Sequence, residues 1–525
     1  MGLARTLMIQ GTASHVGKSV LVAALCRILT QDGYRVAPFK AQNMALNSYI
    51  TRDGGEIGRA QAVQAQAARI EPSVDMNPVL LKPSDDTVAQ VIVQGRSVGN
   101  CQAIDYHQNY VKKVWPEITA SFRRLQEEFE IIVLEGAGSP AEVNLQENDV
   151  VNMRAAQLAN APVLLVADID KGGALAAIVG TLELLRPADR KRVTGLIINK
   201  FRGDRELLQP ALDFLEQKTG LPVVGVIPYF TFRIPEEDTL QEALYPETPN
   251  RNHPDIPAEF GHPAASFLKI TVLYLPHISN FTDFDPLAAE SDVQLRYVRL
   301  GETIGPTDLL IIPGSKNTLG DWQQLQRTGQ AEAIINLAAQ GTPIIGICGG
   351  MQMLGEMIRD PAGVETNGQE APGLGLLKIT TIFQENKLTR PVKGVVLGYG
   401  SLLEDCQGQE VSGYEIHLGE TINAPGVRPF VQIITNSGEL AETIPEGAVN
   451  ENGLIFGTYL HGLFDADQFR RTLLNQLRKR KGWSPLPPTV FFRQYQEAAF
   501  DELAKLVREN LRLEQIYQMM IKGDY

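Results

Sequence analysis

The chain has 525 residues, which at roughly 100–200 residues per domain predicts two to four domains. Its 44% hydrophobic and 21% charged residues match a folded globular protein and exclude disordered, collagenous and coiled-coil readings. Forty-eight basic against 61 acidic residues give a net charge of −13, which argues against nucleic acid as the main partner but leaves room for a small anionic ligand in a local positive pocket.

The N-terminal apolar run meets a glycine turn rather than a cleavage region, and no apolar stretch approaches bilayer length, so no membrane role and a cytoplasmic location are expected. From there, short apolar strands are expected at Leu7–Gln10, Ile131–Leu134, Val163–Ala167, Gly195–Asn199 and Val223–Ile227, separated by helical-length segments. This alternation is the pattern of a parallel sheet covered on both faces. The Pro- and Asn-rich stretch 245–266 reads as a linker. A second alternating series follows, with strands at Ile270–Leu275, Leu309–Ile312, Pro343–Ile347 and Leu454–Tyr459. After Pro485–Pro488, apolar residues at Phe500, Leu503, Val507 and Leu511 recur at helical spacing, which predicts an amphipathic C-terminal helix packed on the body. The expected division is 1–244, a linker, 267–480 and a helical segment 481–525.

The first strand runs into Gly11-Thr12-Ala-Ser-His-Val-Gly17-Lys18-Ser19 and then an apolar helix. Backbone N–H groups at such a helix start hold phosphate, a lysine neutralises charge, and a serine hydroxyl can ligate Mg²⁺. Five residues, not four, separate the first glycine from the Gly-Lys pair. A guanine-specific NTPase would have Asp where Asn199-Lys200-Phe201 is followed by Arg202, and a partition ATPase would carry a second lysine early in the loop.

The extended loop resembles that of dethiobiotin synthetase and its relatives, which use ATP to activate a carboxylate. Pro38-Phe39-Lys40, Glu56 ahead of a helix carrying Arg59 and Gln61, and Leu134-Glu135-Gly136 carry the likeness further. The resemblance implies that Thr12, Gly17, Lys18 and Ser19 bind ATP, that Lys40 faces the transferred phosphate, and that Ser19, Glu56 and Glu135 hold Mg²⁺. Asn199 either reads the adenine edge or simply ends its strand; Glu135 and Glu56 have the plainer readings of a capping or surface carboxylate.

The second half contains Gly346-Ile347-Cys348-Gly349-Gly350, a strand, a tight turn and a helix start. Small neighbours permit a strained turn that exposes a nucleophile, and a helix N-terminus favours a thiolate. The other cysteines, Cys26, Cys101 and Cys406, lack this context, and the four together suit neither disulfides nor a structural zinc site. His461, just past a strand, is the expected base, with His417 a rival. The turn after Ile312 carries Gly314, which with Gly349 could supply oxyanion N–H groups. These residues resemble the class I glutamine amidotransferase domain, whose flavodoxin-like sheet carries a cysteine that forms a glutamyl thioester and releases ammonia. That family has a glutamate two residues after the histidine, where this chain has Leu463; Glu415 and Asp465 are conceivable substitutes.

The expected fold is therefore α/β, two doubly wound parallel-sheet domains, P-loop and amidotransferase, with a C-terminal helix. The domain order, residues Pro38–Ser48 and Gly54–Gln61, and Ile278–Pro286 are similar to the cobyric acid synthase family over nearly the whole chain. That family uses ATP and L-glutamine to amidate the b, d, e and g carboxylates of adenosylcobyrinic acid a,c-diamide, a corrinoid. Lys40, Arg52, Arg59, Lys82 and Arg96 are local cations available to such a substrate. Two alternatives stay open: a cobyrinic acid a,c-diamide synthase, and a P-loop switch ATPase carrying an inactive amidotransferase-like module. Self-association is also left open.

Overall fold

The computed structural model describes residues 4–83, 88–102, 110–230, 267–366, 368–435 and 442–522. The expected linker at 245–266 lies outside the described residues. The chain forms two compact units: Met1–Ala45, Gly55–Glu237 and Gln496–Tyr525 make one, and Leu46–Gly54 with Asp238–Tyr495 the other. These units differ from the linear division in two places. Residues 46–54 belong with the second unit although both flanks belong to the first, and the C-terminal residues return to the first.

The first unit is built on a six-stranded parallel sheet. Its spatial order is Val223–Pro228, Val193–Phe201, Val163–Asp168, Arg5–Gly11, Ile131–Glu135 and Val36–Phe39. The strands are near-continuous Val, Ile and Leu because helices cover both faces. The P-loop strand is central, and Glu135 ends its neighbour, so both deliver their side chains to the carboxyl edge where open α/β sheets bind ligands. A smaller sheet pairs Gln42–Met44, Val79–Pro83, Val88–Val93 and Arg96–Gln102.

The C-terminal helix Phe492–Asn510 carries the expected apolar stripe. Phe500, Leu503 and Val507, with Leu511 just past the helix end, are buried among Leu7, Ile9, Leu21 and Leu25 of the P-loop strand and helix. Arg27, fully buried, pairs with Glu497 at 2.7 Å and Asp501 at 2.8 Å, which ties the P-loop helix to this tail.

The second unit has its own sheet, in the order Val293–Arg299, Leu268–Tyr274, Leu309–Ile312, Ile344–Ile347, Ile455–Thr458 and Ala448–Val449. All pairs are parallel except the last. A mainly antiparallel sheet centred on Ile379–Val396 and Glu410–Asn423 packs beside it. A buried cluster of Arg470, Arg471 and Arg478 with Glu290 and Asp292 pins the helix Asp467–Arg480 to this core.

Candidate functional sites

Strand Arg5–Gly11 and helix Lys18–Gln31 are joined by the glycine loop, and Gly17 sits at φ 94° immediately before the helix. A β-carbon on Gly17 would stand 2.2 Å from the Asn199 amide nitrogen, so only glycine fits there. That nitrogen donates to the Val16 carbonyl at 2.8 Å, and Asn199 Oδ1 is buried without a partner. The Thr12 N–H donates to the Val166 carbonyl. Lys18 Nζ donates to the carbonyls of Ala13 at 2.9 Å and Gly138 at 3.1 Å, and so spans the loop.

Glu135 is the centre of this edge. One of its oxygens accepts from Ser19 Oγ at 2.8 Å and from Lys40 Nζ at 2.9 Å; the other accepts from Gln64 Nε2 at 2.5 Å. Burial alone would raise its pKa, but the Lys40 charge and these donors win and hold the carboxyl below its ordinary range. The structure thus brings together Ser19, Lys40 and Glu135 as expected. Glu56 is engaged elsewhere, in a buried pair with Lys82 at 2.9 Å. Lys82 is therefore a buried charge rather than a solvated one.

Among the described residues no cluster of three or more His, Cys, Asp or Glu side chains forms a metal cage. The adjacent Ser19 hydroxyl and ionised Glu135 carboxylate are nonetheless oxygen donors of the kind that suits a Mg²⁺ keeping most of its ligands from water and phosphate, so the residues present fit that ion.

In the second unit, strand Ile344–Ile347 ends at Cys348, and helix Gly349–Leu354 follows at once. Cys348 has φ 52° and ψ −111°, a strained conformation for a residue with a β-carbon. Its N–H donates to the Thr458 carbonyl at 2.8 Å, and its thiol lies 3.6 Å from the Ile416 carbonyl. A β-carbon on Gly350 would stand 1.9 Å from the Ile312 carbonyl oxygen, which explains the second glycine of the turn. Strand Gly314–Ser315 lies against this turn. A β-carbon on Gly349 would be 3.0 Å from the Ser315 nitrogen, and one on Gly314 would be 3.2 Å from His461 Cε1. Gly314, Gly349 and His461 are therefore gathered around one thiol.

His461 is fully buried. Its Nδ1 lies 2.6 Å from Asp283 Oδ2, and the other Asp283 oxygen accepts the Gly462 N–H at 3.0 Å. Burial works against the imidazolium, but the Asp283 charge and its hydrogen bond outweigh it, and a hydrogen bond with the Cys348 side chain adds to them. The His461 pKa is raised to about 10. The His461 ring stacks on Tyr414, with centroids 5.3 Å apart.

Asp283 is a carboxylate partner of His461 that sequence reasoning missed, although it lies within the stretch Ile278–Pro286 that carried the family likeness. Glu415 is taken by Arg390 at 2.5 Å and Asp465 is exposed, so neither serves. The rival base His417 stacks on Tyr459, and its Nδ1 lies 2.7 Å from the Gly419 carbonyl; burial lowers its pKa to about 4. Cys26 and Cys406 are buried thiols pushed well up by burial, which suits inert core positions.

Two family descriptions match the chain. Residues 7–239 match the CobQ/CobB/MinD/ParA nucleotide binding domain, and residues 269–469 match the CobB/CobQ-like glutamine amidotransferase domain. Among similar proteins, the cobyric acid synthase of Pelotomaculum thermopropionicum is 53% identical over 99% of this chain and 97% of its own length. That of Moorella thermoacetica is 52% identical over 99% and 98%, and that of Klebsiella pneumoniae 49% identical over 98% and 98%. No helix among the described residues is long and apolar enough to cross a membrane.

Proposed function

This chain belongs to the cobyric acid synthase family, and from that premise we propose how its residues divide the work of ATP- and glutamine-dependent amidation. The family's reaction converts the b, d, e and g carboxylates of adenosylcobyrinic acid a,c-diamide to amides. One observation carries the reading: a strained thiol with a buried histidine–aspartate partner and a phosphate loop with an ionised carboxylate occur on the same chain.

In the second unit Cys348 attacks the side-chain amide of glutamine. His461, whose affinity for a proton is raised by Asp283, takes the thiol proton and later returns it to the departing ammonia. The N–H groups of Gly314 and Gly349 face the developing oxyanion. Water then hydrolyses the glutamyl thioester to glutamate.

In the first unit ATP phosphorylates a corrinoid carboxylate, and ammonia displaces the phosphate to leave an amide. Gly17, Thr12 and Lys18 hold the phosphates and Lys40 stands by the one transferred, while Asn199 steadies the loop. Ser19 and Glu135 would hold Mg²⁺, which supplies charge neutralisation to the phosphates when bound; Glu56, taken up by Lys82, is left out of that set.

The test is a corrinoid assay with ATP and either glutamine or an ammonium salt. Lys18→Ala should abolish synthesis from both nitrogen sources. Cys348→Ser should lose only glutamine-driven synthesis. Equal loss of both activities in Cys348→Ser would contradict the division of labour.

A further inference from the structure

Residues 46–54 break the order of the sequence: the chain leaves the P-loop unit after Ala45, contributes this segment to the amidotransferase unit, and returns at Gly55. The segment makes specific contacts there. Asn47 Oδ1 accepts the Phe281 N–H at 3.3 Å, at the start of the turn Phe281–Phe284 that carries Asp283. The Ser48 N–H donates to Asn280 Oδ1 at 3.1 Å, and the Ser48 carbonyl accepts from the Tyr414 hydroxyl at 3.3 Å. Ile50 packs with Tyr414 and Ile416, whose carbonyl lies by the Cys348 thiol. Gly54 is held by the Thr389 hydroxyl at 3.1 Å.

Two of the residues grasped in this way, Asn280 and Tyr414, border His461. Asn280 has the left-handed φ of 54° and places its Nδ2 3.5 Å from His461 Nε2, the nitrogen on the side away from Asp283. Tyr414 covers the ring face, and the turn starting at Phe281 presents Asp283 to Nδ1. Asn47 and Ser48 are themselves buried, at 2% and 0% exposure, so these hydrogen bonds are shielded from competing water.

We propose that residues 46–54 form a strap that positions the histidine base of the amidotransferase unit, with Asn47 and Ser48 fixing the Phe281 turn, Asn280 and Tyr414 around His461. A buried imidazole with a strong partner on only one nitrogen still rotates about that bond. Contacts on its face and its second nitrogen fix the angle at which it meets the thiol. Glutamine turnover then depends on a segment whose two ends belong to the nucleotide-binding unit. Asn47, Ser48, Asn280 and Tyr414 are positioning residues, since none has to touch the reacting amide.

The inference rests on the reading of Cys348 and His461 as a glutaminase pair. In the full-length protein, glutamate release is measured for Asn47→Ala and Tyr414→Phe, each of which removes one strap hydrogen bond and leaves the His461–Asp283 pair in place. A buried hydrogen bond of about 1 kcal/mol predicts roughly a fivefold fall in kcat for each. KM for glutamine should stay within about twofold, and ammonium-driven amidation should persist. Wild-type kcat in either alanine or phenylalanine variant overturns the strap. So does parallel loss of ammonium-driven synthesis with a lowered melting temperature, which would mark a purely structural role. Glutamate release surviving in Cys348→Ser would instead refute the glutaminase reading. A dead Cys348→Ser beside fully active strap variants would refute the strap alone.

Discussion

Replacing Asp283 with asparagine keeps the shape of the side chain and removes its charge. In the native site the carboxylate accepts from His461 Nδ1 at 2.6 Å and from the Gly462 N–H at 3.0 Å, and it is the largest force raising the imidazole's affinity for a proton. An asparagine at this position can turn its NH₂ toward Nδ1. The ring then carries its proton on Nε2, where it cannot take one from the thiol. A buried hydrogen bond to a charged group contributes about 3 kcal/mol at the upper end, equivalent to roughly a 150-fold loss of kcat. The assay is steady-state glutamate release, with ammonium-driven amidation as the internal control for an intact first unit. Asp283→Asn within threefold of the wild-type kcat would refute the assignment of Asp283 as the orienting group.

Two further outcomes follow from groups outside the reacting pair. Glu446 is buried and holds the Thr458 hydroxyl at 2.7 Å and the Tyr459 N–H at 2.6 Å; burial, then the Glu415 charge, pushes its pKa up to about 8. A carboxyl raised on folding contributes stability at low pH and loses it as pH rises through about 8. Glu446→Gln should therefore flatten the fall in melting temperature between about pH 5 and 8, and parallel melting curves for the two proteins would disprove it. Val507, fully buried against the P-loop strand and helix, becomes an unpaired buried charge in Val507→Asp. A cost of about 3 kcal/mol should lower the melting of the first unit by roughly 6–12 °C. Glutamate release should survive, and loss of both activities together would count against the placement of this helix.

Strands buried on both faces were legible because their signal is local: Val163–Asp168 and Ile344–Ile347 are continuous apolar runs bounded by turns. The edge strand Val293–Arg299 was missed, since VQLRYVR is interrupted by Gln294, Arg296 and Arg299. Strands Ile379–Val396 and Glu410–Asn423 were missed as well, because Pro391, glycines and charges interrupt their alternation. The elbow and P-loop were legible because close packing permits only glycine at Gly350 and Gly17, which leaves a mark in the sequence. Asp283 and the segment 46–54 left no such mark. Their partners lie far along the chain, and no spacing rule connects Asp283 with His461 or Ser48 with Tyr414.

The displacement of the third carboxylate has a physical reason in the chain after His461. Gly462 adopts φ 77° and starts the turn Leu463–Asp465, which drives Leu463 into the apolar core at 1% exposure among Phe464, Phe469 and Leu473. A glutamate there would lose its hydration without gaining a cation, at a cost of several kcal/mol. Asp283 meets His461 from another element, where the Gly462 N–H supplies a second donor to the same carboxylate. The family's usual position cannot simply take the task back. In the double variant Asp283→Ala, Leu463→Glu, glutamate release should stay within about threefold of Asp283→Ala alone, and the melting temperature should fall further. Recovery to a tenth of the wild-type rate would mean that the turn can swing residue 463 toward the imidazole, and that the buried position of Leu463 does not govern where the carboxylate comes from.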